Sequence, residues 1–144
     1  SLERKDPDDY KGKSIYVVHD RMDDQEVKPF KEAIEKSGFR ILTPAFEGEL
    51  LDVRKNHIEN LKNLDGAIIF KGKVNDQWVR MKALDLLKAP GFGRIKPILG
   101  KAIVSSSSNN AELETFKSQN MTVISGDQNK RMESLKMFLE EFKA

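Results

Sequence analysis

The sequence predicts an α/β domain of flavodoxin-like form, a three-layer sandwich with a five-stranded parallel sheet in the order 2-1-3-4-5. Three observations predict it. Short apolar runs rich in β-branched residues recur along the chain. Each is followed by a stretch whose apolar residues fall at helical spacing. Glycine, proline and acidic residues punctuate the boundaries between them. Such alternation calls for a parallel sheet covered on both faces, because each crossover helix must pack back on the sheet. Right-handed crossovers leave few topologies, and 2-1-3-4-5 is the common five-stranded one.

The elements follow in order. Residues 1–12 are charged, contain Pro7 and Gly12, and are expected to form a linker or tail; residues 13–144 are expected to form one domain. SIYVVHD (Ser14–Asp20) is the first strand. In DDQEVKPFKEAIEKSG, Val27, Phe30 and Ile34 share a helical face, acidic residues crowd the positive start, and Gly38 closes the helix. Pro29 suits a first turn, so this helix is expected to begin near Glu26 or later. FRILTPAF (Phe39–Phe46) is the second strand, stopped by Pro44. The second helix carries Val53, Ile58, Leu61 and Leu64, and GAIIFKG (Gly66–Gly72) is the third strand. NDQWVRMKALD opens a third helix running to about Lys88. After the loop APGFGRIKP comes a fourth strand centred on Lys101–Val104, with Gly100 a candidate bulge. NNAELETFKSQN is a shorter helix and MTVISGD the fifth strand. A last helix carries Met132, Leu135, Leu139 and Phe142 on one stripe.

Composition narrows the function. The 144 residues fit one domain, and 38% apolar with 33% charged residues supports a packed core. With 25 basic and 23 acidic side chains the net charge is +2, without the basic excess of a nucleic-acid-binding surface. The chain has no cysteine, which excludes disulfides, thiolate catalysis and cysteine-ligated zinc, and suits a reducing cytoplasm. No apolar run approaches the ~18 residues that span a bilayer, and no signal-peptide pattern opens the chain. The first residue is Ser1, which leads us to expect a processed chain or a piece of a longer protein.

Ligands of such sheets bind at the carboxyl ends of the strands, where the strand order reverses. Three loops meet there: His19–Asp24, Ala45–Asp52 and Lys71–Trp78. The candidate cleft residues are His19, Asp20, Asp24, Phe46, Lys71 and Trp78. The common uses of the fold fail one by one. A phosphate-accepting receiver needs an aspartate ending strand 3, where FKGK stands. A flavin site needs a hydroxyl-rich first loop, where HDRMDD is acidic. G-x-G-x-x-G and the Walker sequence are missing, and GFGR at Gly91–Arg94 lies between a helix and a strand. His19, Asp20, Asp23 and Asp24 read as an acidic helix start rather than a metal site. His57, among charged neighbours, is expected to be exposed, as is the loop residue Arg94, which otherwise offers a fork for an anion. His19 is the stronger functional histidine, able to serve as proton donor or base.

One family fits this pattern of residues. SIYVVHDRMDD, then GFRILTPAFEGELLDVRKNHIENLKNLDGAIIFKG, then the tryptophan of NDQWVRMKALDLL resemble a Toll/interleukin-1 receptor (TIR) domain of the bacterial type, over residues 13–144. The resemblance implies self-association, or pairing with other TIR-like domains, through the loop after strand 2; Phe46, Glu47, Gly48 and Leu50 would carry it. It also implies a possible substrate, NAD⁺, since some TIR domains break its nicotinamide–ribose bond with a glutamate just after the tryptophan. Here those places hold Met81 and Lys82, so Asp85, two turns on, and Glu47 are the substitutes. The main reading is an assembly domain of a larger bacterial signalling or immune protein. The alternatives are an NAD⁺ glycohydrolase effector using the cleft at the ends of strands 1 and 3 and, third, a nucleotide- or nucleoside-binding enzyme of related fold, such as a deoxyribosyltransferase. That third class calls for more carboxylates after strands 3 and 4 than this sequence offers. Whether the chain is an enzyme turns on the unmatched acid.

Overall fold

A computed structural model describes residues 12–107 and 110–141. Its strands are β1 (Ser14–Val18), β2 (Arg40–Leu42), β3 (Gly66–Lys71), β4 (Gly100–Ser105) and β5 (Met121–Ile124). Its helices are α1 (Asp24–Lys36), α2 (Leu50–Asn63), α3 (Asp76–Leu87) and α4 (Gln128–Glu140). All neighbouring strands pair in parallel, in the expected order β2-β1-β3-β4-β5.

The sheet's side chains alternate between two cores, as the pleat requires. Ile15, Val17, Ile68, Phe70, Ala102 and Val104 point to one face, where Val27, Phe30 and Ile34 of α1 and Leu135, Phe138 and Leu139 of α4 cover them. Tyr16, Val18, Ala67, Ile69 and Ile103 point to the other, under Leu61 and Leu64 at the end of α2 and Val79, Ala83 and Leu86 of α3. β3 is buried along its whole length, as the middle strand of a covered parallel sheet should be. Because Tyr16 has the parity of Val18, its ring runs under α2, and that placement builds the site described below.

Caps set the helix starts. The Asn75 carboxamide accepts from Trp78 N at 2.9 Å and the Asp127 carboxylate from Lys130 N at 2.8 Å. Asp20 caps a single 3-10 turn (Arg21–Asp23) through Met22 N at 3.1 Å. That turn feeds directly into α1, so the helix starts at Asp24, earlier than expected. Pro29 then lies in the second turn, on the exposed side of the helix.

Other boundaries move for local reasons. β2 is an edge strand of three residues, half exposed, ending before Pro44, which has no N–H for a ladder. Gly100 is no bulge: it pairs with Gly66 at the start of an unbroken register. The fourth expected helix is a 3-10 segment, Glu112–Gln119, burying only Leu113 and Phe116. The expected tail at residues 1–12 falls almost wholly outside the described residues, as does Phe142. Among the described residues no helix is long and apolar enough to cross a membrane.

Candidate functional site at the carboxyl end of the first strand

A cavity of about 260 Å³ opens over the carboxyl end of β1. The strand supplies Tyr16 and Val18, the loop after it His19 and Asp20, and the loop after β2 Pro44, Ala45 and Phe46. The inner side of α2 adds Val53, Asn56 and His57, and α3 adds Trp78 and Lys82. Helical spacing explains the two walls. Val53 and His57 are four residues apart on α2, and Trp78, Lys82 and Asp85 lie at i, i+4 and i+7 on the stripe of α3 facing it.

Three side chains make a continuous hydrogen-bonded chain below the cavity. The Tyr16 hydroxyl is 2.7 Å from His57 Nδ1, and His57 Nε2 is 3.0 Å from Asp85 Oδ2. The carboxylate accepts, so the Nε2 hydrogen is directed to Asp85 and a neutral His57 turns its Nδ1 lone pair to the phenol. Burial pushes the Tyr16 hydroxyl up to about 12, with the Asn60 side chain opposing and Asp85 assisting; the phenol therefore keeps its proton at neutral pH. Burial also raises Asp85, but the hydrogen bond and charge of His57, with Lys82 and Lys88, outweigh it and hold the carboxyl below its ordinary value. His57 is thus no exposed helix residue: its side chain is 17% accessible and bonded at both nitrogens.

The remaining expected residues are brought together only in part. His19 is buried at the wall with its ring edge-on to Phe46, centroids 5.3 Å apart. Asp24 stands outside it, its carboxylate 3.5 Å from His19 Nδ1. Trp78 lines the cavity with the Lys82 ammonium 5.3 Å from its ring centre. Lys71 is not in the cleft. Its parity turns it to the α3 face, where Asp76 in the first turn of that helix takes its ammonium, 2.5 Å away. Glu47 is exposed and 3.3 Å from Arg21; with Arg21, Asp24, Ala45 and Phe46 it borders a second, shallower depression. Gly48 adopts φ +111° in the turn before α2, and Leu50, although helical, is 84% exposed. Asp85 does not line the cavity and reaches it only through His57. Among the described residues no cluster of three metal-ligating side chains occurs.

Arg94 is neither an anion fork nor solvated. It is 5% exposed and donates to the carbonyls of Leu61, Lys62, Leu64, Lys96 and Pro97, so it closes the end of α2 at the opposite edge of the sheet.

No protein-family model matches this chain, and no curated protein matches its sequence. Solved structures do match its shape. The 2-deoxyribosyltransferase of Bacillus psychrosaccharolyticus superposes with a TM-score of 0.57 at 16% identity, covering 85% of this chain and 95% of that one. A Clostridium botulinum CMP N-glycosidase superposes with a TM-score of 0.57 at 15% identity, covering 88% of this chain and all of the other. Identity this low establishes a shared fold. The neighbours are nucleoside- and nucleotide-handling enzymes, not TIR domains. That finding overturns the TIR resemblance, and with it the signalling and immunity reading and the self-association with TIR-like partners. In this chain Tyr16 and Val18 of the first strand, Asp20 after it and Trp78 at the start of the third helix line the cavity.

Proposed function

We propose that this chain is an enzyme that binds a nucleoside or mononucleotide in the β1 cavity and breaks the bond between sugar and base. The Tyr16–His57–Asp85 chain carries the reading. Breaking an N-glycosidic bond leaves negative charge on the departing base and positive charge on the sugar. A proton must be supplied on one side, and a carboxylate stabilises the other. The Tyr16 phenol, kept protonated by burial, is the donor to the base. Its O–H is free to donate when His57 is doubly protonated, with Nδ1–H donating to the phenol oxygen and Nε2–H to Asp85. Water or an acceptor base then bonds to the sugar carbon that the base has left. Asp20 supplies the carboxylate on the cavity wall, and Phe46 and Trp78 give the base flat apolar surfaces. Lys82 adds a cation beside Trp78 that suits an anionic base or a phosphate.

The fold neighbours support this chemistry: both are enzymes of nucleosides or nucleotides, one a deoxyribosyltransferase and one a CMP N-glycosidase. At about 260 Å³ the cavity lies at the small end of ligand sites, which are typically roughly 300–1,000 Å³, and this favours a single nucleoside over a dinucleotide such as NAD⁺. The test is to incubate the protein with purine and pyrimidine ribonucleosides, deoxyribonucleosides, their 5′-monophosphates and NAD⁺, and to follow free base by chromatography. Release of base from one of these, lost in Tyr16→Phe, supports the reading. No release from any member of the panel, with or without an acceptor base, overturns it.

A further inference from the structure

We propose that His19 is a recognition residue whose bare Nε2 accepts a hydrogen bond from the ligand, so that the cavity selects ligands with a hydroxyl or amino donor at that point. His19 follows β1 directly, and its side chain is fully buried at the cavity wall. Its Nδ1 is 3.0 Å from the carbonyl oxygen of Asp20 and 3.5 Å from Asp24 Oδ1. Both neighbours only accept, so Nδ1 carries the hydrogen. Burial pulls the imidazole below its ordinary range and Lys31 adds to this, while the Asp20 carbonyl, Asp24 and Asp23 act against it. The ring is then neutral near pH 7, and Nε2 holds an unshared lone pair. That atom is buried and has no hydrogen-bond partner in the protein.

A buried acceptor left unmet is unfavourable, and a ligand that supplies a donor relieves it. The converse gives selectivity. A ligand carbonyl or ether at this place would set lone pair against lone pair, and a ligand lacking the donor would leave Nε2 as it was. Sites built to bond a polar group discriminate strongly against analogues that lack it. In a nucleoside the donors are the sugar hydroxyls, an exocyclic amine as in cytidine and adenosine, and a ring N–H as in uridine and guanosine. That choice of ligand rests on the function proposed above; the state of the ring does not.

The experiment is nitrogen-resolved NMR on protein labelled with ¹⁵N-histidine. We expect Nδ1 to resonate as a protonated nitrogen and Nε2 as a bare one. Cytidine or adenosine should move the Nε2 resonance toward its hydrogen-bonded value. Comparison with 2′-deoxy and 3′-deoxy analogues, and of cytidine with uridine, identifies the donor, because the analogue lacking it binds about tenfold more weakly or worse. His19→Phe, a ring of similar shape, should remove that discrimination; its fold is checked by circular dichroism, and if it does not fold the wild-type spectra decide. A proton on Nε2, binding that leaves Nε2 unmoved, or undiminished discrimination by folded His19→Phe would overturn the proposal. If the nucleosides do not bind, free ribose and acetamide are the probes. A shift of Nε2 by either retains the role of His19 while the nucleoside reading falls, and no shift by any probe ends both.

Discussion

The two edges of the sheet treat buried polar groups in opposite ways. At the amino edge, Arg94 spends its guanidinium on five carbonyls, and Asp65 accepts from Ser14 N at 2.7 Å and pairs with Lys96 at 2.9 Å. These bonds tie the C-terminal end of α2 to the starts of β1 and β3 and leave nothing for a ligand. At the carboxyl edge, His19 Nε2, Asp23 Oδ2 and Arg131 Nε are buried without a hydrogen bond. Of these three, His19 lines the cavity over β1, at the end of the sheet where ligands bind in such folds, while the satisfied groups at the other edge hold the frame.

Substitutions can break that contrast or sharpen it. The largest effect is expected from Arg94→Ala, which orphans several buried carbonyls and should lower unfolding stability by about 3 kcal/mol, read from denaturant midpoints. Lysine should not rescue it, because one ammonium cannot reach carbonyls on both sides. Next comes Tyr16→Phe. The ring still fills its place, so melting should change little while base release falls by about 100-fold, the range of a lost general acid. Unfolding as severe as that of Arg94→Ala would erase the distinction between the edges. Asp85→Asn should cost less, about tenfold in kcat with KM nearly constant, since it acts on the phenol only through His57.

Acid gives a smaller and graded effect. The folded carboxyls of Asp85 and Asp65 lie below their ordinary value. A lowered folded value contributes stability above the unfolded one, near ~4, and that contribution is lost as pH falls through the folded value. Thermal melts from pH 6 to pH 2 should therefore fall, and Asp65→Asn should flatten the slope without touching base release. The smallest effect is expected at Leu50 and Leu51, 84% and 76% exposed; changing either to serine should shift stability by less than about 0.5 kcal/mol.

The fold was legible because its signals are local. Apolar runs and helical stripes named the strands and helices, and the handedness of crossovers supplied the strand order. The site was legible only where it lies close to strand ends, at His19, Asp20, Phe46 and Trp78. Of its floor the sequence singled out Asp85 alone, as a stand-in catalytic acid; its link to Tyr16 through His57 was hidden, because Tyr16 and His57 are 41 residues apart and His57 and Asp85 are 28 apart. The helical stripe holding Val53, His57 and Leu61 was a usable sign that His57 faces inward, but the charged neighbours Lys55 and Glu59 masked it. Arg94 was misread for a similar reason. Nothing in a loop sequence announces that a helix end will arrive beside it with free carbonyls.

The chain from Tyr16 to Asp85 also has two very different ends. Tyr16 is 1% exposed beneath the cavity, whereas the Asp85 side chain, between α3 and α2, is 31% exposed. A bound ligand that plugs the mouth would cut the floor off from water by the front. The rear stays open: Asp85 keeps contact with bulk solvent, so its charge, and with it the orientation of His57 behind the phenol, still answers to the medium while the mouth is plugged.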